Sequence, residues 1–111
     1  MRTLTFFRLS PSQQTAFDRA RTTRALQNHG PLAFGQEVPV HDHDEPAVYV
    51  VDGLAYFKDD QGTCRAIGRD ATANAVVVPA GQAHGWQGLF GGTRIEHVIG
   101  AREVENLLAV A

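Results

Sequence analysis

The sequence has a single cysteine, Cys64, and lacks any long hydrophobic run. One cysteine excludes a framework of internal disulfides, and no apolar stretch approaches the ~20 residues that a membrane-spanning helix needs. Residues 1–14 also lack the apolar centre and the small-residue cleavage site of a signal peptide. These absences predict a cytoplasmic protein with no membrane partner. Cys64 lies in a predicted strand with no histidine or glycine-rich elbow nearby, so it is expected to be a packed, inert thiol.

An excess of one charge is also lacking, since the 111 residues carry a formal net charge of −2 at pH 7. This balance gives no reason to expect nucleic acid or an anionic membrane as a partner. A content of 43% hydrophobic and 20% charged residues is ordinary for a globular protein. The length suits one core, so we expect a single domain over residues 1–111.

The most informative stretch that is present covers residues 35–53 and holds two histidines one residue apart, His41 and His43. In an extended chain alternate side chains point to the same face, so the two imidazoles are expected to lie side by side. Glu45 has the same parity, and the following Pro46 favours an extended backbone at that residue. The pattern predicts that three metal-ligating side chains line one side of one strand.

A transition metal needs three or four ligands, and His84 is the best candidate for the next one. His84 follows an apolar run over 75–78 and a turn signal. The stretch 35–53 resembles the first sequence motif of the cupins, and the stretch 73–88 is similar to their second motif. The matching positions are Gly35, His41, His43 and Gly53 in the first motif, and Pro79, Gly81 and His84 in the second.

The sequence departs from both cupin motifs. The glutamate of the first motif would fall on Ala47 or Val48, and Glu45 is the nearest carboxylate. Ala73 and Gly88 stand where the second motif has a glycine and an asparagine. Glu45 is therefore a fourth metal ligand, a group that orients a histidine or acts in acid–base catalysis, or a solvated side chain.

The cupin resemblance implies an all-β jelly-roll barrel, and the short apolar runs separated by turns are typical of an antiparallel sandwich or barrel. Ser10 to Gln13 has the form of a capping box, which predicts a short N-terminal helix. Residues 101–110 carry an apolar stripe, which predicts a C-terminal helix that closes the barrel or packs on a second subunit. Strands are predicted over 4–9, 32–34, 47–51, 54–57, 63–67, 75–78, 84–87 and 93–99.

Two further segments are assigned to the surface. Residues 28–31, Asn-His-Gly-Pro, are typical of a turn, so His29 is interpreted as a surface histidine. Arg19, Arg21 and Arg24 are interpreted as a solvated face of the N-terminal helix, because no aromatic residues alternate with them as in a basic recognition surface.

Large side chains in phase with the histidines are expected to line a pocket beside the metal. Their simplest role is core packing, but an aromatic wall would also bind a small organic molecule. His97 is in phase with two isoleucines, and is either a buried histidine satisfied by a neighbour or an acid–base group of the pocket. The predicted pocket residues are Tyr49, Val51, Phe57, Trp86 and His97.

The cupin resemblance implies a divalent transition metal, and imidazole ligands suit iron, nickel, manganese, zinc and copper. Three histidines without an aligned carboxylate favour an Fe(II)-dependent dioxygenase of a small organic molecule, with Glu45 as the catalytic acid–base candidate. A non-catalytic binding or sensor cupin and a cupin isomerase or epimerase are the alternatives. Small cupins commonly pair, and strand 4–9 offers an edge for a partner's sheet, so a homodimer is expected.

Overall fold

The structure, a computed structural model, describes residues 4–22 and 27–110, so the predicted surface role of Arg24 lies outside the described residues. Within these ranges the chain forms nine strands and two helices. They are β1 (Thr5–Phe7), α1 (Pro11–Thr22), β2 (Gln27–Leu32), β3 (Glu37–His41), β4 (Ala47–Asp52), β5 (Leu54–Lys58), β6 (Cys64–Gly68), β7 (Ala75–Val78), β8 (His84–Gly88), β9 (Thr93–Ile99) and α2 (Ala101–Leu108). None of the helices in these ranges is long and apolar enough to cross a membrane.

The strands form two antiparallel sheets that face each other. One sheet has five strands in the order β1-β7-β4-β9-β2, and the other has four in the order β3-β8-β5-β6. The predicted all-β jelly roll with a helix near each end is confirmed. The described strands form two packed sheets rather than one closed barrel.

Strand β4 divides the interior into two cores, because its alternate side chains point to opposite faces. Tyr49 and Val51 lie in the inner core between the two sheets, with Phe57, Trp86 and Ile95. The intervening Val48 and Val50 face the other way, into an outer core. A strand buried on both faces reads as a continuous apolar run, as this one does.

The two helices cover the outer face of the five-stranded sheet. Phe17 of α1 and Val104 and Leu107 of α2 pack in the outer core, whereas Leu108 is 40% exposed. The prediction that the C-terminal helix closes an end of the barrel is therefore wrong, whereas its packing on a second subunit stays a prediction. Its apolar stripe is buried against a sheet face of the same chain.

Both predictions for residues 4–13 are confirmed. In the capping box, the Gln13 backbone N–H donates to Ser10 Oγ at 3.1 Å and the Ser10 N–H donates to Gln13 Oε1 at 2.9 Å. Phe6 packs on the inner core and Phe7 on the outer core, so adjacent aromatics suit a strand between two packed surfaces.

The predicted turn at residues 28–31 is wrong, because these residues belong to β2 and pair with β9. Gly30 allows this pairing. Its φ is +144°, and a Cβ there would lie 2.8 Å from the Thr93 carbonyl oxygen. The predicted strand over 32–34 is correspondingly displaced: β2 ends at Leu32, and a turn follows at Phe34 and Gly35.

Two surface predictions also need correction. Cys64 is exposed at the start of the edge strand β6 and is not packed. Arg21 does not simply face solvent, because its guanidinium makes two hydrogen bonds to the buried carboxylate of Glu96. This ion pair joins helix α1 to strand β9.

Candidate metal centre

The two sequence motifs meet where β3 ends and β8 begins. His41 is the last residue of β3 and His84 the first of β8, and the two are register partners in the four-stranded sheet. His43 lies in the loop after β3, so the prediction that His41, His43 and Glu45 share one strand is wrong. The loop nevertheless turns His43 back towards His41 and His84.

The imidazoles of these three residues converge on one point. The Nε2 atoms of His41 and His43 are 3.2 Å apart, and the ring centroids of His41 and His84 are 4.6 Å apart. One ligand nitrogen from each of the three residues lies within 4.8 Å of the others. Glu45 is not part of this group.

Backbone carbonyls fix the proton position on two of the rings. His41 Nδ1 is 2.7 Å from the Pro39 carbonyl oxygen, and His84 Nδ1 is 2.8 Å from that of Gln82. A carbonyl oxygen only accepts, so each Nδ1 carries the proton and donates it. Each Nε2 therefore keeps its lone pair, as in histidines that bind metals.

These distances and donors fit a divalent transition metal. Two nitrogens bound at about 2.1 Å to a tetrahedral ion lie about 3.4 Å apart, close to the 3.2 Å between His41 and His43. Imidazole nitrogen is a suitable donor for iron, nickel, copper and zinc. The three histidines could hold a metal ion, and nothing in their geometry selects one metal.

Tyr49 adds an oxygen to the candidate metal centre. Its hydroxyl oxygen is 2.8 Å from His84 Nε2 and 3.3 Å from His43 Nε2. Burial raises the pKa of Tyr49 well above its ordinary value, so the hydroxyl keeps its proton and donates to His84. The sequence predicted Tyr49 only as a pocket wall.

Burial favours the neutral form of His43 and His84. The His84 ring is 1% exposed, and this burial, with the nearby His41 and His43, lowers the pKa of His84 to about 4 against the opposing effect of the Gln82 carbonyl. Burial also lowers the pKa of His43. Neutral imidazole is the form that binds metal, so His84 needs no proton loss at pH 7.

Solved structures share the fold of this chain. An RmlC-like cupin from Shewanella frigidimarina matches with 28% sequence identity and a TM-score of 0.50, over 67% of this chain and 64% of that chain. This chain has the cupin fold. No protein-family model and no curated protein matches this chain.

Two further structures show the fold alone, because their sequence identity to this chain is low. A conserved protein of unknown function from Streptococcus pyogenes has 22% identity and a TM-score of 0.52, over 68% of this chain and 60% of that chain. KdgF from Halomonas sp. has 19% identity and a TM-score of 0.52, over 73% of this chain and 85% of that one. The match spans less than two thirds of the Shewanella and Streptococcus chains.

The five histidines of this chain form one cluster. His97 is 2% exposed, and its ring stacks on Tyr49 at 4.5 Å and on His29 at 5.2 Å between centroids. His29 in turn lies 6.2 Å from His41. The interpretation of His29 as a surface histidine is therefore wrong, and no spacing in the sequence points to it. The closeness of His29 to the other four histidines is visible only in the folded structure.

The other predicted pocket residues lie in the inner core between the two sheets. Trp86 and Phe57 are fully buried with their rings edge to face at 5.3 Å, and Val51 is 4% exposed. Trp86 also packs against Tyr49 at 5.6 Å. These side chains form an apolar floor beneath the histidines.

Glu45 lies apart from the histidine cluster. Its side chain is exposed and lies near Gly100, before helix α2. Asp42 and Asp44 are also exposed. The catalytic role of Glu45 stays a prediction without a supporting contact.

Proposed function

We propose that this cupin binds one divalent transition metal ion through His41, His43 and His84 and, with ferrous iron, acts as a dioxygenase on a small organic molecule. The observation that supports this proposal most directly is the convergence of three Nε2 atoms. In His41 and His84 a backbone carbonyl also fixes the ring proton on Nδ1. When bound, iron would supply the Lewis acidity and the redox chemistry of oxygen activation.

The residues around the three ligands support a small, anionic substrate. Three neutral imidazoles leave the charge of a divalent ion uncompensated, since no carboxylate belongs to the group. A negatively charged substrate therefore gains more from the site than a neutral one. Tyr49 presents a hydroxyl proton beside the ligand nitrogens, and the aromatic floor below it excludes water.

Oxygen consumption tests this function. Protein loaded with Fe(II) is screened in an oxygen electrode against thiols, diketones and phenolic compounds, with His84→Ala as the metal-binding control. We expect uptake with at least one class in the wild type and none in the variant. Full iron occupancy without uptake would instead support the alternative, a cupin that binds a small molecule without turnover.

We also propose that the protein is a homodimer. Strand β1 lies at the edge of the five-stranded sheet, so its outer backbone groups have no neighbouring strand within the described residues. An unpaired edge is a template for a second chain.

A further inference from the structure

Two histidines of the cluster lie outside the proposed ligand set. His29 on β2 and His97 on β9 belong to the five-stranded sheet, whereas His41 and His84 belong to the four-stranded sheet. Tyr49, His97 and His29 form a row of stacked rings across β4, β9 and β2. At this end of the two sheets the proposed metal ligands thus lie on one side and a row of flat rings lies on the other.

The nitrogens of this second pair lack partners. His97 Nδ1 and His29 Nε2 are buried and have no hydrogen-bond partner among the described residues. A buried polar atom without a partner costs free energy, and such an atom in a folded protein calls for an explanation. Neither ring joins the group whose ligand nitrogens lie within 4.8 Å of one another.

We propose that His29 and His97 bind the carboxylate of a small molecule held beside the three-histidine metal centre. This inference rests on the proposed metal site. Each neutral imidazole ring carries one N–H that it can donate to a carboxylate oxygen. A carboxylate accepts several hydrogen bonds through its two oxygens and adds the negative charge that the ligand set lacks.

The packing explains why two histidines serve this purpose. His97 cannot turn away from the cluster, because its ring lies between Tyr49 and His29 at 4.5 and 5.2 Å. His29 is half-buried on the edge strand β2, and its Nε2 atom is itself buried. The pair therefore provides two buried polar atoms that lack partners.

The test uses Co(II) as the metal and acetate as the probe, followed by the visible absorption of Co(II). Thiocyanate is the control anion, because it binds metals through nitrogen and its terminal sulfur is a poor hydrogen-bond acceptor. The variants are His29→Phe and His97→Phe, which keep a flat ring but remove the nitrogens. Asn28→Ala is the matched control, since Asn28 is an exposed residue of the same strand.

We expect each phenylalanine variant to weaken acetate binding by about tenfold or more, the usual effect of a hydrogen bond to a charged group. In the same variants the affinities for Co(II) and thiocyanate should change by less than about twofold, because the replaced nitrogens contact neither the metal ion nor the control anion. His97→Asn, whose amide can replace Nδ1, should recover part of the acetate affinity. If His97→Phe does not fold, His29→Phe on the edge strand decides alone.

Other outcomes would overturn the inference. Unchanged acetate affinity would mean that the rings only pack against each other. A parallel loss of Co(II) affinity would make them metal ligands instead. Failure of the wild-type protein to bind Co(II) at all would reject the proposed metal site itself, and the carboxylate site with it.

Discussion

The hydroxyl proton of Tyr49 and a metal ion would compete for the Nε2 lone pair of His84. The hydroxyl donates to that nitrogen at 2.8 Å, where a metal ion would bind. A metal must therefore displace this hydrogen bond before His84 can act as a ligand. The Tyr49 proton is then free to hydrogen-bond whatever lies next to the metal.

Replacing Tyr49 by phenylalanine separates these two roles. We expect Tyr49→Phe to bind Co(II) at least as tightly as the wild type, and up to about tenfold more tightly, because no hydroxyl has to be displaced. Oxygen consumption with Fe(II) should fall, since the proton donor is lost. Co(II) titration followed by visible absorption measures the first effect, and a clear loss of affinity would make the hydroxyl part of the metal site.

At the scale of single residues, the sequence predicted the three proposed metal ligands but not their surroundings. His41, His43 and His84 were identifiable because they fall at the spacing of the two cupin motifs, although His43 lies in a loop and not on the strand. His29 was not, because Asn-His-Gly-Pro is also the composition of a turn. The pairing of β2 with β9 depends on a long-range approach at Gly30 that local sequence does not encode.

Helix α1 is held to the five-stranded sheet by a buried ion pair. Arg21 Nε and Nη2 lie 2.6 and 2.5 Å from the two oxygens of Glu96, whose side chain is 5% exposed. Such two-pronged contacts are among the stronger charged hydrogen bonds. The residue after Glu96 is His97, so this ion pair also anchors the strand that carries the second histidine pair.

Breaking this pair from the helix side should destabilise the fold. Arg21→Met leaves the Glu96 carboxylate buried and unpaired, and we expect a loss of about 2 kcal/mol in the free energy of unfolding. This is less than for a fully buried pair, because Arg21 is 44% exposed. Urea denaturation measures the loss. Arg19→Met, on the exposed side of the same helix, should change stability by less than about 0.5 kcal/mol.

Among the helices and strands, the sequence predicts best those features that depend on residues close together in the chain. The reciprocal capping bonds of Ser10 and Gln13 depend on residues three apart, and helix α1 begins where they indicate. The packing of α2 could not be predicted in the same way. An apolar stripe shows that a face is buried, but its partner, the outer face of β4 and β9, is set by the whole fold.

The whole molecule should lose stability in acid when no metal is bound. His84 and His97 have pKa values of about 4 in the folded protein, mainly because of burial, against 6.5 for a free histidine. Between these values the unfolded chain binds more protons than the folded one, so stability falls as pH falls from 6.5 to 4. Each histidine contributes on the order of 3 kcal/mol to this fall.

Urea denaturation of metal-free protein between pH 7.5 and pH 4 checks this dependence. The method readily resolves changes of about 1 kcal/mol in the free energy of unfolding. The free energy of unfolding should change little above pH 6.5 and decrease steadily below it. His97→Phe removes one of the two groups and should make the decrease shallower. An equal slope in the wild type and the variant would show that His97 does not titrate as its burial implies.

The proposed dimer can be tested without disturbing the core. Phe6 and Phe7 are unsuitable sites for a charge, because they pack on the two cores. Thr5 is exposed on the same edge strand, and an edge lysine opposes strand pairing between chains. We expect the wild type to sediment as a dimer and Thr5→Lys as a monomer with an unchanged melting temperature. A wild-type monomer would reject the dimer.

The most direct test of the account is the metal content of the protein, measured by elemental analysis after purification without chelators or metal-affinity resins. We predict one transition metal ion per chain in the wild type and in His29→Phe, and a loss of at least about tenfold in occupancy in His41→Ala and His84→Ala. Wild-type protein without metal that also fails to take up added Fe(II), Co(II) or Zn(II), or equal occupancy in all four proteins, would contradict it.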